Sequence, residues 1–506
     1  MSSSAASNGR GDGGRLSRSI AIVGAGFGGV GAAVMLRRAG YHDVRVFERG
    51  ERVGGVWHHN TYPGAACDVP SHLYEFSFEP NPRWSRRYAP QAEIQAYLED
   101  VARRHGVLDR IHTGVEVQQA RWEEERSKWV LQTSAGPHEA DVLLTACGQL
   151  SVPSTPPLAG LEDFAGPVFH TARWRHDVDL AGKRVAVVGT GCSAIQTVPA
   201  IQPIASQIDV YQRSPGWTFP KMDYAYRERT KRLFERFPVV QRLDRAAIFA
   251  FMELGAAGMT NRRWILRPFR AVARSQINRA IKDPELRRKV TPTDEVGCKR
   301  LMLTDAWYPT LTRPNVELIT DPIAEVTPGG VRTRDGTERP ADVIVLATGF
   351  KSHAFVAPME ITGSGGRSLA EEWGAVPRAY LGMSVPGFPN MFLLYGPNTN
   401  GGTGSVIYTT EAAANHVISA LEELDRSDER RIEIRRAVAE GFDRELRAAL
   451  EGTVWHTGCT NWYVDADGND PSQWPWLWSA YRRRTERITP GAYELGAPAR
   501  DAEPVR

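Results

Sequence analysis

The sequence predicts an α/β protein in which one strand, loop, helix and strand unit occurs twice. Two glycine-rich loops each follow an apolar strand and precede a helix-like stretch. The distance from each loop to a charged residue at the end of the next strand is the same in both units. At 506 residues, the chain also exceeds the roughly 250–300 residues at which single hydrophobic cores stop growing. We therefore expect at least two domains.

The first unit starts with the strand SIAIV and continues into the loop Gly24-Ala-Gly26-Phe-Gly-Gly29. In such a loop the first glycine allows a tight turn, the second lets backbone N–H groups approach a pyrophosphate, and the third allows close helix packing. The next strand ends in Glu48. A carboxylate at this place accepts hydrogen bonds from ribose hydroxyls but repels a 2′-phosphate. Glu48 therefore predicts that the first site takes FAD rather than NADP.

The second unit reads KRVAVV, then the loop Gly189-Thr190-Gly191-Cys192-Ser193-Ala194, then a helix-like stretch and the strand IDVYQ. In both units the charged residue comes 24 positions after the first loop glycine, so Arg213 stands where Glu48 stood. Arg213 and the adjacent Ser214 offer a guanidinium and a hydroxyl to a 2′-phosphate. The second site is therefore predicted to bind NADPH in preference to NADH.

The remaining segments suggest how the two units are joined. The strand-like stretches DVLLTACG and DVIVLATGF each lead into a crossing between domains, and the stretch after residue 222 shows helical patterns without strand alternation. We expect two Rossmann-like dinucleotide-binding domains with a helical insertion, as in a two-dinucleotide-binding flavoprotein. The predicted segments are a disordered tail at 1–17, the FAD-binding domain at 18–150 and 351–506, the NADPH-binding domain at 151–221 and 296–350, and the helical insertion at 222–295.

Composition and charge exclude several other classes of protein. With 42% hydrophobic and 24% charged residues the chain has a globular composition. Its net charge of +3, with acidic and basic residues interspersed, indicates no whole-protein attraction to nucleic acid or to an anionic membrane. Any basic site must be local. The apolar run AAIFAFM is interrupted by Glu253, far short of the roughly 18 residues of a membrane span. The start of the chain lacks the apolar stretch of a signal peptide, so we expect a cytoplasmic protein with no membrane span.

The five cysteines are scattered at positions 67, 147, 192, 298 and 459. An odd number at wide spacing favours reduced thiols over a disulfide framework. Because no two cysteines form a CxxC pair, the dithiol relay of thioredoxin-reductase-type flavoproteins is excluded. No metal site is predicted.

Two further patterns identify a family. The stretch from 164 to 174 contains FxGxxxHxxxW at Phe164, Gly166, His170 and Trp174, and the stretch from 55 to 68 contains GxWxxxx(F/Y)PGxxxD, from Gly55-Val56-Trp57 to Asp68. Both resemble the fingerprints of Baeyer-Villiger monooxygenases, and the resemblance extends from about residue 19 to 480. One departure is Arg175, which follows Trp174 where the family usually has Pro or Asp.

The resemblance implies roles for particular residues. Gly297-Cys-Lys299-Arg300 resembles the family's GxKR element, so Lys299 is expected to contact the NADP phosphate and Arg300 to reach the flavin. There a permanent guanidinium can stabilise oxygen anions that develop during reaction. Asp68 is expected to orient Arg300, and His170 to couple the domains without proton chemistry. Further cofactor contacts implied by the resemblance are Gly55, Val56, Trp57, Tyr74, Val115 and Trp455.

The activity implied by the resemblance is insertion of one oxygen atom of O2 next to a ketone carbonyl, with FAD and NADPH as cofactors. An N- or S-oxygenating flavin monooxygenase is the enzymatic alternative, which Trp174 and Lys299-Arg300 disfavour. A third reading is a redox sensor that binds FAD and NADPH without turnover. Such a sensor needs the glycine loops but not the GCKR element. The ketone and the oligomeric state are not encoded in any readable pattern.

Overall fold

The computed structural model describes residues 18–496, so the predicted tail at 1–17 lies outside the described residues. The α-helices are Phe27–Arg38, Val56–His59, Gln91–Arg104, Ala194–Ile201, Glu228–Arg236, Pro238–Thr260, Leu266–Ala280, Pro284–Val290, Trp307–Leu311, Leu369–Trp373, Val406–Ser427, Arg436–Glu451 and Trp478–Thr485. Short 3-10 helices are Leu108–Arg110, Leu161–Asp163, Thr171–Arg173, Arg263–Ile265, Ser364–Gly366 and Val454–His456. No helix among these is both long and apolar enough to cross a membrane.

The first large sheet has five parallel strands in the spatial order Met391–Leu393, Val142–Thr145, Ile20–Val23, Val44–Glu48 and Ile111–Thr113. Three of its strands, Met391–Leu393, Val142–Thr145 and Ile20–Val23, are short and fully buried, because the strands of a parallel sheet are covered on both faces. Ile20 and Ile22 pack in the core that contains helix Phe27–Arg38, whereas Ala21 and Val23 pack with Trp122 and its neighbours in a second cluster. The second cluster lies between the first sheet and a smaller four-stranded sheet. The strands of the smaller sheet are, in spatial order, Glu360–Thr362, Val117–Glu123, Lys128–Thr133 and Gly136–Ala140.

The second large sheet repeats this plan. Its five parallel strands are, in spatial order, Val316–Ile319, Gln207–Tyr211, Arg184–Val188, Val343–Leu346 and Val168–His170. Val185 and Val187 pack in the cluster that contains helix Ala194–Ile201, and Ala186 packs on the opposite side. That side is covered by the antiparallel strands Ile323–Thr327, Gly330–Thr333 and Glu338–Pro340.

The chain returns to the first sheet after its second unit. Strand Met391–Leu393 pairs with Val142–Thr145, and helix Val406–Ser427 packs against helix Phe27–Arg38. The side chain of Ser405 caps the start of helix Val406–Ser427 by accepting a hydrogen bond from the N–H of Ile407. An antiparallel pair, Arg431–Ile434 with Tyr493–Gly496, closes this region.

The segment from 222 to 295 contains four α-helices, of which Pro238–Thr260 is the longest. Ile248, Ala256 and Met259 on this helix are buried in the core that also holds the first unit. After the helices, Met302–Leu303 pairs in parallel with Thr218–Phe219. This short ladder fixes the position of the GCKR element, which directly precedes it.

Candidate nucleotide and oxygenation site

Both glycine loops open into one cavity of about 1070 Å³. The predicted site residues in its wall are Gly24, Gly26, Glu48, Gly55, Val56, Trp57, Asp68, Tyr74, Val115, Gly189, Thr190, Gly191, Ser193, Arg213, Ser214, Lys299 and Arg300. The predicted residues outside the wall are Gly29, Trp455, Phe164, Gly166, His170 and Trp174.

The first loop requires glycine at its first and third positions. Gly24 has φ +104°, and a Cβ there would lie 2.6 Å from the carbonyl oxygen of Ala146. A Cβ on Gly29 would lie 1.8 Å from the carbonyl oxygen of Gly24, so the third glycine serves helix packing rather than the cavity wall. Helix Phe27–Arg38 starts without a side-chain cap or an acidic residue in its first turn. Its first N–H groups are therefore available to an anion.

Glu48 is fixed at the end of its strand. The side chain is buried, Oε2 accepts a hydrogen bond from the N–H of Ala25 at 2.7 Å, and Oε1 accepts one from Gly50 at 2.7 Å. A carboxylate has about four acceptor sites, so both oxygens can still accept hydrogen bonds from hydroxyl groups. The loop residue Gly55, with φ +56°, approaches Gly26 so closely that a Cβ would lie 3.0 Å from its Cα. The close approach of Gly55 to Gly26 leaves no room for an added side chain at Gly55.

The second loop repeats the steric pattern of the first. Gly189 has φ +110°, and a Cβ there would lie 2.4 Å from the carbonyl oxygen of Ala347. Helix Ala194–Ile201 also begins without a side-chain cap or an acidic residue in its first turn. A Cβ on Gly191 would meet no atom within 4 Å, so this glycine leaves the loop open on the cavity side.

A cationic and hydroxyl-bearing cluster lies at the end of the second unit's strand. Lys299 Nζ donates a hydrogen bond to Ser214 Oγ at 3.1 Å and lies 2.6 Å from Asp294 Oδ2. Arg213 is exposed and lines the same cavity. The arrangement suits a phosphate monoester, because one guanidinium, one ammonium and one hydroxyl can donate to it together.

Arg300 and Asp68 form an ion pair in the cavity, with Arg300 Nη2 2.5 Å from Asp68 Oδ2. Burial alone raises the pKa of Asp68, but the charge and hydrogen bond of Arg300 outweigh it and leave the pKa below its ordinary value. Asp68 in turn holds the pKa of Arg300 well above the ordinary value. Both groups are therefore ionised at neutral pH.

Two local features place this ion pair between the units. Gly64, with φ +83°, lets its loop approach helix Ala194–Ile201, where a Cβ would lie 2.6 Å from the carbonyl oxygen of Gln196. Gln196 Nε2 donates to the carbonyl of Ala66 at 3.0 Å, and Tyr62 OH donates to Gln196 Oε1 at 3.0 Å. The stretch that ends in Asp68 is thus joined to the second unit.

The other predicted contacts of the first unit lie beside this stretch. Trp57 Nε1 donates a hydrogen bond to Tyr74 OH at 3.0 Å, and the two rings meet edge to face. The N–H of Val115 donates to the carbonyl of Glu48 at 2.9 Å. Trp57, Tyr74 and Val115 therefore form part of the cavity wall that continues from the first glycine loop.

The FxGxxxHxxxW residues lie in the second unit, outside the cavity wall. Phe164 is buried, and a Cβ on Gly166 would lie 2.3 Å from the carbonyl oxygen of Asp342. His170 Nδ1 accepts from the N–H of Ala172 at 3.0 Å, and burial lowers the pKa of His170, so the ring is neutral. Trp174 packs edge to face on Phe169 at 5.0 Å. These residues fix the edge strand of the second sheet.

The structure does not place Trp455, an expected NADP contact, in the cavity wall. Trp455 is 2% exposed, packs against Tyr463 and does not line the cavity, whereas Trp462 does. Both tryptophans lie in one aromatic stretch, and only the tertiary packing decides which of them faces the cavity.

The expectation of reduced thiols rather than a disulfide framework fails for two of the five cysteines. Cys298 and Cys459 form a disulfide across 161 positions, while Cys67, Cys147 and Cys192 are free. The disulfide joins the residue next to Lys299 to the loop that carries Trp462. Wide spacing in the sequence did not prevent the pairing because the fold brings both segments to the same end of the cavity.

Two residues that line the cavity, Gln196 and Cys192, were not among the predicted site residues. The side chain of Gln196 forms hydrogen bonds with Tyr62 and with the backbone of Ala66. A glutamine within a helix carries no sequence signal for such long-range contacts. Cys192 lies in the second glycine loop beside Arg300, where burial raises the pKa of its thiol. Its place in a loop next to the phosphate-binding glycines was the available clue.

The geometry fits two dinucleotides. Each loop supplies uncapped helix N–H groups and a close backbone approach that a Cβ would block, and the strand ends differ in charge in the way that distinguishes a ribose diol from a 2′-phosphate. The ion pair of Arg300 and Asp68 lies where the two halves of the cavity meet.

Comparisons with known proteins agree with this geometry. A family model described as pyridine nucleotide-disulphide oxidoreductase matches residues 21–242. A Streptomyces coelicolor protein named Baeyer-Villiger monooxygenase is 41% identical over 482 residues, covering 95% of this chain and 93% of that protein. A Pseudomonas aeruginosa protein with the same name is 41% identical, covering 94% of this chain and 91% of that protein.

Solved structures give the same result. An oxidized steroid monooxygenase bound to NADP has a TM-score of 0.84 at 31% identity, with 95% of this chain and 99% of that chain covered. A cyclohexanone monooxygenase from Rhodococcus sp. Phi1 bound to NADP+ has a TM-score of 0.84 at 27% identity, with coverage of 95% and 99%. OTEMO in complex with FAD and NADP has a TM-score of 0.84 at 26% identity, with coverage of 95% and 100%. The chain therefore belongs to the Baeyer-Villiger monooxygenase family.

Proposed function

We propose that this chain is an FAD-dependent, NADPH-consuming monooxygenase that inserts one oxygen atom of O2 beside the carbonyl carbon of a ketone, giving an ester or lactone and water. The observation that carries the proposal is the ion pair of Arg300 and Asp68 in a cavity that both glycine loops enter. When bound, FAD and NADPH would supply the hydride and the activation of O2.

The first loop and Glu48 would hold FAD through pyrophosphate and ribose, with Trp57, Tyr74 and Val115 beside it. Gly189, Thr190, Gly191 and Ser193 would hold the NADPH pyrophosphate at the start of helix Ala194–Ile201. Arg213, Ser214 and Lys299 would hold the 2′-phosphate. The two domains expected from the sequence thus receive one dinucleotide each.

Arg300 would act on the reacting ketone. Addition of an oxygen nucleophile to a carbonyl places negative charge on the carbonyl oxygen, and a guanidinium held in advance stabilises that charge more than it stabilises the neutral ketone. Asp68 keeps Arg300 in place and remains ionised, since its pKa lies below the ordinary value. Asp68 is thus a positioning residue, and its loss would leave the partly exposed guanidinium of Arg300 free to turn away.

The ketone and O2 are the remaining substrates in this proposal, and we place the enzyme in the cytoplasm, where NADPH is regenerated. The free cysteines Cys67, Cys147 and Cys192 are compatible with that location. The single disulfide, by contrast, gives it no support.

The test uses the purified, FAD-loaded protein with a panel of cyclic, aromatic and steroid ketones. We expect NADPH oxidation to increase with at least one ketone, and mass spectrometry to detect a product heavier than that ketone by one oxygen atom. Oxygenation of sulfides or amines without any ester would contradict the proposal in favour of an N- or S-oxygenating enzyme. Tight binding of both cofactors without turnover on any substrate would contradict it in favour of a redox sensor.

A further inference from the structure

The positive charge of this protein is concentrated in the helical insertion. Residues 222–295 contain 17 Lys and Arg against 9 Asp and Glu, a formal charge of +8. The other 432 residues contain 45 Lys and Arg against 50 Asp and Glu, a charge of −5. A charge asymmetry of this kind between parts of one chain is typical of a surface that meets a polyanion or an anionic membrane.

The longest helix of the insertion, Pro238–Thr260, has two apolar faces. Its buried face, with Ile248, Ala256 and Met259, packs in the core. Its opposite face carries exposed apolar side chains at helical spacing, which we call the apolar stripe: Val239, Leu243, Ala247, Ala250 and Leu254. Leu243 is 65% exposed and Val239 58% exposed. A helix of a water-facing surface normally has a polar outer face, so the stripe requires an explanation.

Further apolar side chains extend this surface. Phe251, on the flank of the stripe, is 57% exposed and its ring lies 6.0 Å from that of Phe269 on the next helix, Leu266–Ala280. Trp264, between the two helices, is 65% exposed. Large aromatic rings and leucines exposed together on one insertion are the side chains that enter the boundary between lipid headgroups and acyl chains.

Exposed arginines accompany these apolar side chains. Arg236 and Arg242 lie near the start of the stripe, and Arg262 and Arg267 flank Trp264. None of these four forms an ion pair with another residue of the range 18–496, so their charges are available to a partner. Each basic residue close to an anionic lipid surface contributes about 1 kcal/mol to binding.

We propose that the helical insertion binds the surface of an anionic lipid bilayer, with the apolar stripe and Trp264 at the headgroup boundary and the surrounding arginines on lipid phosphates. The mode is peripheral, since no described helix can cross a membrane. A second copy of the chain is a poorer occupant, because a two-fold contact through this face would place one +8 insertion against another. The binding does not depend on the chemistry of the cavity, so it can fail or hold independently of the proposed reaction.

The experiment is flotation of the full-length, FAD-loaded protein with vesicles of phosphatidylcholine alone and of an equal mixture of phosphatidylcholine and phosphatidylglycerol. We expect the protein to float with the anionic vesicles, to stay behind with the neutral ones, and to be released at high salt. The variant Leu243→Gln with Leu254→Gln should bind about tenfold more weakly or worse, because the apolar area entering the bilayer is lost.

Matched variants separate apolar from electrostatic contributions. Arg242→Gln with Arg267→Gln should weaken binding about fivefold for each arginine removed. The controls are Ile204→Gln, which removes a 51% exposed apolar residue outside the insertion, and Arg110→Gln, which removes an exposed arginine outside it; both should bind like the parent protein. Flavin content and thermal unfolding verify that each variant is folded.

Three results would overturn the proposal. The first is absence of binding to anionic vesicles by the folded parent protein. The second is equal loss of binding in the control variants. The third is self-association in light scattering that needs Leu243 and Leu254 and persists without vesicles, which would assign this face to a second copy of the chain.

Discussion

The two glycine-loop units have the same architecture but opposite chemistry at one position. In each, a Cβ on the first glycine would collide with the carbonyl oxygen of the residue that directly follows the neighbouring strand, Ala146 in the first unit and Ala347 in the second. In each, the helix that follows starts with uncapped N–H groups. The strand that comes next ends in a buried Glu48 in one unit, whereas in the other it ends at Tyr211 and is followed two residues later by an exposed Arg213.

This difference shows how one fold can be assigned two cofactors. The shape of the glycine loops does not distinguish the two nucleotides, because the loops approach only the pyrophosphate, which FAD and NADPH have in common. The charge at the strand end is what separates a ribose diol from a 2′-phosphate. Arg300 belongs to neither loop. It lies where the two halves of the cavity meet, so it can act on a reaction that uses both cofactors.

The largest expected effect comes from Arg300, which lies at the junction of the two halves of the cavity and outside both glycine loops. Arg300→Ala should lower ester formation by about 10²–10³-fold, the usual cost of removing one donor to a developing oxyanion. NADPH should still reduce the flavin, because both loops are intact. Stopped-flow flavin absorbance and product analysis measure the two steps separately. Arg300→Lys, which keeps the charge but loses the planar fork, should fall between the parent and the alanine variant. An unchanged ester yield in Arg300→Ala would show that the junction has no catalytic role.

The next largest effect concerns the disulfide that ties the GCKR element to the Trp462 loop. Cys459→Ser should lower the free energy of unfolding by about 2–4 kcal/mol, since the crosslink closes a long loop in the unfolded chain. Chemical denaturation of the parent and the variant, each with and without reductant, measures this. Reductant should destabilise the parent and leave the variant unchanged. If reductant shifts both proteins equally, the pair does not act as a crosslink in solution.

A third prediction tests the charge at the end of the second unit. Arg213→Gln should raise the KM for NADPH about 10–100-fold and leave the KM for NADH nearly unchanged, because a charged hydrogen bond to phosphate contributes about 1.5–3 kcal/mol. Steady-state kinetics with both nucleotides measures this. An equal loss with NADH would mean that Arg213 supports the loop instead of reading the phosphate.

The smallest expected effect lies in the first unit. Glu48→Ala should weaken FAD retention about tenfold, because hydrogen bonds to the ribose are lost together with the acceptor for the Ala25 N–H in the glycine loop. Flavin absorbance after dialysis measures it, and Glu51→Ala, at a nearby exposed position, is the matched control. Full retention of FAD in Glu48→Ala would remove the basis for assigning the two cofactors by strand-end charge.

Much of this site could be predicted because it depends on local sterics. Glycine spacing, the acid at 48 and the base at 213 act within one supersecondary unit, so the sequence alone predicts them. Trp455 could not be distinguished from Trp462, since both lie in one aromatic stretch and burial is decided by distant segments. The disulfide and the hydrogen bonds of Gln196 were equally unpredictable, because each joins segments far apart in the chain.

The most direct measurement is a crystal structure of the protein grown with FAD and NADP. We expect the Arg300 guanidinium to lie against the reacting face of the isoalloxazine ring, still paired with Asp68, and Arg213 and Lys299 to contact the 2′-phosphate. An Arg300 side chain that points into bulk solvent, away from the ring, would contradict the account.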